Sequence, residues 1–433
     1  MLKNPQHNPA QDGVGAGILT DESNLPDLTP YIRDGDTVMW GQAAAEPLTL
    51  TRALIAQRQL FGRLKLFLGI GLSTTLSAAY ADSFHFMSYC GAGSNRDLAR
   101  AGVLDIFPCA YSTFPEVLSR RRPFVDVVLV QVSPADAHGN FSLGLANDLL
   151  IAAIQNARVV IAEVNPLVPR TFGARTLAAA DINMVVPALF PPIETLSGVV
   201  SPVDALIARQ VAGLIEDGAT LQFGLGGVAD ATLSLLHDRK DLGVHSGIAG
   251  DGIVGLAESG ALTNARKGRD AGISITGLLI GSRRLYDFAD RNAALGMRGT
   301  DYTHGPEVLR SLNQFVAINS AIEVDLTGQV NSEVANGEYL GAVGGAPDFL
   351  RAAHFSRGGI PIVALPSLAG KRSRIVASLS GPVTTPRCDA GVIVTEHGVA
   401  DLRGLSIAQR KRRMLDLAHP SQREMLEREA HSS

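Results

Sequence analysis

The sequence predicts an α/β protein made of two related domains, each an open, mainly parallel sheet flanked by helices. Two nearly continuous apolar runs, VDVVLVQV at 125–132 and ARVVIAEV at 157–164, are rich in Val and Ile. Such runs are typical of strands that helices cover on both faces of a parallel sheet. Residues 34–54 and 217–237 share Asp-Gly, Thr, an apolar run and Gly in register. This repeat indicates two related units, and 433 residues are enough for two or three domains.

The division between the domains is expected within 184–204, a segment that contains four prolines between two periodic regions. We therefore predict an N-terminal domain over 26–190 and a C-terminal domain over 200–433. Residues 1–25 are predicted to be a flexible N-terminus, and the tail after His419 is also expected to pack poorly.

Each of the two repeated units predicts a turn, a strand, a small-residue loop and a helix start, in that order. Further strands are predicted from short apolar runs. They lie at 64–70 in the first half and, in the second, at 219–224, 273–280, 315–324, 360–366 and 390–396.

Composition excludes several classes of function. A net charge of −4 gives no indication of nucleic-acid or anionic-membrane binding. The three cysteines are far apart, so they predict neither a disulfide framework nor a metal site. The N-terminus has no signal-peptide pattern, and no apolar run is long enough to span a bilayer. A soluble, cytoplasmic enzyme is expected, with no metal and no membrane or nucleic-acid partner.

Two glycine-rich loops are the candidate ligand sites. In ATLQFGLGGVAD a predicted strand leads into Gly224-Leu225-Gly226-Gly227 and then a helix. Free amides at a helix N-terminus suit a phosphate or a developing oxyanion. The second loop, GAVGGAPDF, places Gly344 and Gly345 among small residues, where a ligand can approach the backbone closely.

Three segments resemble the acetyl-CoA hydrolase/transferase family, the class I CoA-transferases of the 4-hydroxybutyrate/acetate type. They are NQFVAINSAIEVDLTGQVNSEVANGEYLGAVGGAPDF at 313–349, SPADAHGNFSLGLAND at 133–148 and the closing block at 392–426. The resemblance implies a CoA-transferase or hydrolase that acts on the thioester of a small acyl-CoA. It implies coenzyme A as substrate and product, no permanently bound cofactor, a small carboxylic acid as a possible second substrate, and a possible homodimer.

The resemblance also assigns site residues. It places Gly344 and Gly345 at the thioester carbonyl or the CoA arm, and it places the family's nucleophilic glutamate at Gly247. A glutamate there would attack the acyl-CoA and carry CoA as a thioester. The residues that the resemblance implies for CoA binding are Gly224, Leu225, Gly226, Gly227, Val228, Ile322 and Gly345.

Gly247 leaves three interpretations open. Loss of the glutamate side chain leaves room for a water near the thioester, which favours hydrolysis, with His245 or Ser246 as groups that could orient the water. Another carboxylate, Asp251 or Glu258, could replace the glutamate. The third interpretation is a non-catalytic protein that binds acyl-CoA.

A nicotinamide-dependent oxidoreductase is a further alternative, because the loop at 224–229 lies between a predicted strand and a predicted helix. The pattern there is GxGGxA rather than GxGxxG, and no acidic residue ends a clear second strand about twenty positions further on. The sequence therefore favours the acyl-CoA interpretations.

Overall fold

Seven parallel strands form the first sheet of the computed structural model, which describes residues 24–120, 125–196 and 198–432. Every pair of neighbouring strands is parallel, and all six residues of the strand Val127–Val132 are buried. Across the sheet the order is Met184–Pro187, Val159–Val164, Val127–Val132, Thr37–Trp40, Leu64–Leu68, Phe84–Ser88 and Leu104–Ile106.

Six strands form the second sheet, and only its last pair is antiparallel. The α/β class with mainly parallel sheets is therefore confirmed. Because five neighbouring strands point the same way, the loops that follow them emerge at one edge. The order is Gly243–Val244, Thr220–Phe223, Phe315–Asn319, Ile360–Ala364, Val392–Thr395 and Gly398–Asp401.

Helices connect and cover the strands of both sheets, as parallel strand connections require. Those of the first half are Leu48–Ala56, Asn95–Arg100, Phe114–Arg120 and Leu150–Asn156. Those of the second half are Pro202–Ala212, Gly227–Ser234, Gly252–Glu258, Arg283–Ala289, Thr300–Thr303, Pro306–Arg310, Ala346–Phe355, Ile407–Leu417 and Pro420–Ser432. No helix in the described ranges is both long and apolar enough to cross a bilayer.

The repeated sequence unit has the same local structure in both halves. Gly35 and Gly218 have φ angles of 80° and 82°, a left-handed conformation that glycine adopts without a steric penalty. A buried strand follows each turn, at Thr37–Trp40 and at Thr220–Phe223, and a loop then leads into a helix.

Two predicted strands differ from the structure. The segment 273–280 does not join the second sheet, because it divides at Gly277 into two short strands that belong to smaller sheets. A loop of the first half contacts the segment at Gly277, where the Asn147 amide donates to the Gly277 carbonyl at 2.9 Å. The strand predicted at 315–324 ends at Asn319, and Glu323–Asp325 pairs in another small sheet.

The two chain ends have different outcomes. The predicted flexible segment 1–25 lies outside the described residues except for its last two. The expectation of a poorly packed tail after His419 is wrong, because Pro420–Ser432 is a helix. Its Leu426 is 1% exposed and belongs to the apolar core, and this burial stabilises the helix against the rest of the fold.

The two halves contact each other through the segment before helix Ala346–Phe355. The Gly91 amide donates to the Gly341 carbonyl at 2.9 Å, and the Tyr111 amide donates to the Gly344 carbonyl at 3.2 Å. One apolar cluster includes residues of both halves. The second glycine loop is therefore held against the first half.

Candidate active site

The candidate site begins where strands of the second sheet end. Gly224 follows Thr220–Phe223, His245 follows Gly243–Val244, and Ser320 follows Phe315–Asn319. Ligands of open α/β sheets bind at this edge because several loops converge there and helix N-termini point toward it. The predicted CoA loop and Gly247 consequently lie in neighbouring loops.

The loop 224–227 exposes its backbone. Its four amides donate to no atom of the described residues. A methyl group added at Gly224 or Gly226 would meet nothing within 4 Å, so the space above both glycines is open. Gly226 has a φ of 124°, which L side chains rarely adopt. The helix Gly227–Ser234 starts directly after it, so the loop offers free donors at a helix N-terminus.

A cavity of about 240 Å³ lies beside this loop and contains both charged and apolar groups. Arg374 lines it, and its Nε donates to the Ile322 carbonyl at 2.8 Å. Burial lowers the pKa of Arg374. Ser320 and Arg374 line this side of the cavity. Ile322 therefore contributes through its backbone carbonyl, which accepts from the Arg374 guanidinium. Asp204 also lines the cavity, and its carboxylate accepts from the Ser201 hydroxyl at 2.7 Å.

Gly247 and Gly345 face the same side chain, the imidazole of His304. A methyl group at Gly247 would lie 2.9 Å from Cε1 and 3.0 Å from Nε2 of that ring. A methyl group at Gly345 would lie 2.4 Å from Nε2. The structure therefore brings Gly247 and Gly345 together, and the volume beside Gly247 holds an imidazole rather than the open space expected from the sequence.

Aromatic rings surround the His304 imidazole. The ring centroid lies 4.9 Å from that of Tyr111 and 4.4 Å from that of Phe349. Nδ1 lies 2.8 Å from the Thr303 hydroxyl oxygen. His304 is 3% exposed, and burial lowers its pKa to about 3. The imidazole is therefore neutral at physiological pH.

His245 and Ser246 have structural partners. His245 is fully buried, its Nε2 donates to the Thr303 carbonyl at 3.1 Å, and burial lowers its pKa to about 3. The Ser246 hydroxyl donates to the Phe223 carbonyl at 3.0 Å. Both side chains join the end of Gly243–Val244 to neighbouring segments, and Nδ1 of His245 has no hydrogen-bond partner among the described residues.

The carboxylates considered as replacements for glutamate are engaged elsewhere. Asp251 accepts from the Ser282 amide and hydroxyl at 3.0 and 2.7 Å. Glu258 is paired with Arg284, and its side chain is 61% exposed. Neither carboxylate hydrogen-bonds to His304 or to residues 245–247. Across the described ranges, no group of three His, Cys, Asp or Glu side chains is placed to hold a metal ion.

Comparison with known families identifies the chain. The model of the acetyl-CoA hydrolase/transferase N-terminal domain matches residues 23–188, and that of the C-terminal domain matches residues 281–430. The chain belongs to the acetyl-CoA hydrolase/transferase family. The resemblance noted in the sequence is confirmed.

Similar proteins cover almost the whole chain. The 4-hydroxybutyrate coenzyme A transferase of Clostridium kluyveri is 36% identical over 91% of this chain and 94% of its own length. RipA from Yersinia pestis has a TM-score of 0.89 at 33% identity, with 96% of this chain and 97% of that chain covered. The 4-hydroxybutyrate CoA-transferase from Porphyromonas gingivalis has a TM-score of 0.79 at 32% identity, covering 94% and 95%.

Membership in the acetyl-CoA hydrolase/transferase family settles the class of activity. The chain is an acyl-CoA enzyme of the hydrolase or CoA-transferase type, and coenzyme A is part of its substrate. The predicted enzyme class is confirmed, and the binding-protein and nicotinamide alternatives are not favoured.

Sequence reasoning missed His304, Arg374 and Tyr111. His304 follows a short helix in the segment DYTHGP, which has no glycine-loop or strand-end pattern. Arg374 lies between short strands that the sequence did not predict. These residues reach the site only through the tertiary fold, so no local pattern could have indicated them.

Proposed function

We propose that this family member hydrolyses the thioester of a small acyl-CoA, with water as the main acceptor. The observation that carries the proposal is Gly247, beside which an imidazole stands in place of a carboxylate. Glycine has no group that can attack a carbonyl, so the residue cannot hold CoA as a thioester between two acids. A covalent route through position 247 is thereby closed, and direct attack by water is the simplest remaining reaction.

Coenzyme A is proposed to bind along the edge where the strands of the second sheet end. The free amides of 224–227 and the guanidinium of Arg374 are suited to the phosphates of CoA. Ile322 contributes by holding Arg374 through its carbonyl. Val228 lines the cavity in the first turn of the helix.

The thioester is proposed to lie at Gly344 and Gly345. The helix Ala346–Phe355 starts there, and the amides of Gly345 and Ala346 donate to no atom of the described residues. Two free amides at a helix N-terminus can stabilise the oxyanion that forms when the carbonyl is attacked. Gly345 is also next to the His304 ring, so an imidazole and the proposed oxyanion donors meet at one point.

Transfer of CoA to a small carboxylic acid is the second candidate. Two similar proteins support it, because the relatives from Clostridium kluyveri and Porphyromonas gingivalis are both named as 4-hydroxybutyrate CoA-transferases. The proposed division into domains 26–190 and 200–433, the homodimer and the cytoplasmic location stay predictions.

Measurement of thiol release separates the two candidates. The enzyme is incubated with acetyl-CoA, propionyl-CoA or butyryl-CoA, with and without a carboxylic acid, while free thiol and the acyl-CoA species are followed. We expect continuous thiol release that needs no acid. If new acyl-CoA forms from the added acid and no free thiol appears, the enzyme is a transferase and the hydrolase proposal is wrong.

A further inference from the structure

We propose that His304 is the general base of this hydrolysis, with Nε2 accepting a proton from the water that attacks the thioester at Gly344 and Gly345. The inference rests on the proposed hydrolase function and adds the group that activates the water. It also gives a reason for glycine at position 247.

The position of the ring is the first argument. Nε2 lies against Gly345, where the thioester is proposed to bind, and against Gly247, and a methyl group at either glycine would come within 3.0 Å of it. Carbon atoms do not approach a ring nitrogen this closely without displacement. The imidazole and a side chain at 247 or 345 therefore compete for one volume, and this chain has the imidazole.

The tautomer is the second argument. The Thr303 hydroxyl has one proton, and it donates that proton to the Gly299 carbonyl at 3.2 Å. With its proton directed to that carbonyl, the hydroxyl oxygen accepts from Nδ1–H of His304, at 2.8 Å. A neutral imidazole that carries its proton on Nδ1 has a lone pair on Nε2. Nε2 has no hydrogen-bond partner among the described residues, so this lone pair is available to a water.

Immobilisation and charge are the third argument. The rings of Tyr111 and Phe349 pack against the imidazole. The His245 Nε2 also donates to the carbonyl of Thr303, the residue that precedes His304. Burial keeps the pKa of His304 at about 3 without substrate, so the lone pair is free at neutral pH. Negative charge develops on the thioester oxygen as water attacks, and this charge favours the imidazolium that forms beside it. The aromatic faces further stabilise the cation.

The reaction balances without a cofactor. The water oxygen forms a bond with the thioester carbonyl carbon while Nε2 takes one water proton. The tetrahedral intermediate then breaks its carbon–sulfur bond, and CoA leaves with the electron pair. The imidazolium returns the proton to the sulfur. The products are the carboxylic acid and CoA as its thiol, and His304 is again neutral.

The test compares wild type with His304→Ala and His304→Gln, using acetyl-CoA, propionyl-CoA and butyryl-CoA as probes. His304→Gln retains most of the side-chain volume, so it carries the test if the alanine variant fails to fold. His354→Asn is the matched control, because His354 is a half-buried histidine whose Nε2 lies 2.9 Å from the Asp389 carbonyl, away from the glycine loops. CoA affinity by calorimetry and thermal unfolding are measured for each variant.

A general base contributes on the order of 100- to 10,000-fold to rate. We expect both His304 variants to lose at least about 100-fold in kcat, with KM and CoA affinity nearly unchanged and His354→Asn near wild type. Added imidazole should restore part of the activity of His304→Ala, because the deletion opens a cavity where the ring stood. A merely structural role would predict neither the kcat-specific loss nor the rescue.

The outcomes distinguish the two proposals. If wild type hydrolyses acyl-CoA and folded His304 variants keep kcat within about threefold, the role of His304 is wrong while the hydrolase function stands. A loss confined to KM, without imidazole rescue, would also overturn the role. If wild type releases no thiol from any probe, both proposals fail.

Discussion

At position 247 a side chain and the His304 imidazole exclude each other. The two residues are distant in sequence, yet a Cβ at 247 would be 2.9 Å from the ring. Sequence reasoning identified Gly247 as the departure from the family pattern, but it expected empty space there. The identity of the group that fills the space depends on the tertiary position of a short helix, so it could not be predicted from the residues around Gly247.

The exclusion predicts how glutamate at 247 would behave. In Gly247→Glu the new side chain must displace the ring, and overpacking of this kind costs roughly 1–3 kcal/mol in the free energy of unfolding. The double variant Gly247→Glu/His304→Ala relieves this crowding. We expect a CoA adduct on the double variant after incubation with acetyl-CoA, detected by intact mass spectrometry, and little or none on the single variant. Equal adduct formation in both would show that the ring does not control access to position 247.

The glycine loop gives a second prediction at the residue scale. Gly226→Val places a branched side chain at a φ of 124° and over the free amides of 224–227. We expect CoA affinity, measured by calorimetry, to fall at least about tenfold, which is roughly 1.4 kcal/mol. Gly272→Val is the control, because Gly272 also has a positive φ and open space around it but lies outside this loop. Unchanged CoA affinity in a folded Gly226→Val protein would refute the loop as a CoA site.

Among the elements, helix Ala346–Phe355 connects the site to the first half. Its Asp348 accepts from the Ser112 hydroxyl at 2.7 Å and from the Ser112 amide at 3.0 Å. Burial raises the pKa of Asp348, while the bonds from Ser112 act in the opposite direction. The start of this helix, and with it Gly344 and Gly345, is thus positioned by a residue of the other half.

Ser112→Ala should loosen this connection. It removes one hydrogen bond to a charged group, worth about 1.5–3 kcal/mol when made in a protected site. We expect lower stability in urea unfolding and a lower kcat, because the oxyanion donors lose their position. Ser119→Ala is the control, since its hydroxyl makes only an exposed bond to the Glu116 carbonyl. Identical unfolding and kcat in the two variants would contradict this role of the helix start.

Elements differed in how well the sequence predicted them. Strands with long apolar runs, such as Val127–Val132, and the repeated strand-and-loop units were predicted because burial and glycine chemistry act locally. The single strand predicted at 273–280 is instead two short strands in smaller sheets, because a loop of the first half bonds to Gly277 between them. The last helix was missed because its polar sequence has few apolar side chains in the core, Leu426 and Ala430 among them.

For the whole molecule, the buried histidines predict a pH-dependent stability. Burial lowers the pKa of His245 and of His304 to about 3, whereas an unfolded histidine titrates near 6.5. Between these values the unfolded chain binds more protons, so each histidine makes the fold less stable as pH falls below about 6.5. Burial raises the pKa of Asp148 to about 6, which opposes this trend between about 6 and 3.8.

Comparison with His304→Asn isolates the contribution of one histidine, because Asp148 and His245 are common to both proteins. The variant should gain stability relative to wild type by up to about 1.4 kcal/mol for each pH unit below 6.5. Free energies of unfolding in urea at pH 7.5, 6.0 and 5.0 provide the check. A difference between the two proteins that stays constant over this range would show that His304 is not held neutral.

At the same scale, the fold class and the acyl-CoA chemistry were accessible from sequence, because several motifs recur in family order over most of the chain. The contact between the two halves at the site could not be predicted from sequence, because it depends on tertiary contacts such as that of Tyr111 with Gly344. Glycine at position 247 is the feature that favours hydrolysis over transfer, and the activity of the intact enzyme shows which of the two reactions occurs.

The most direct test is the rate of thiol release from butyryl-CoA by the wild-type enzyme with no carboxylic acid present. If the enzyme is a hydrolase, we expect many turnovers, release of butyrate and CoA in equal amounts, and no CoA adduct on the protein during the reaction. Absence of thiol release, together with formation of acetyl-CoA once acetate is added, would contradict the hydrolase proposal.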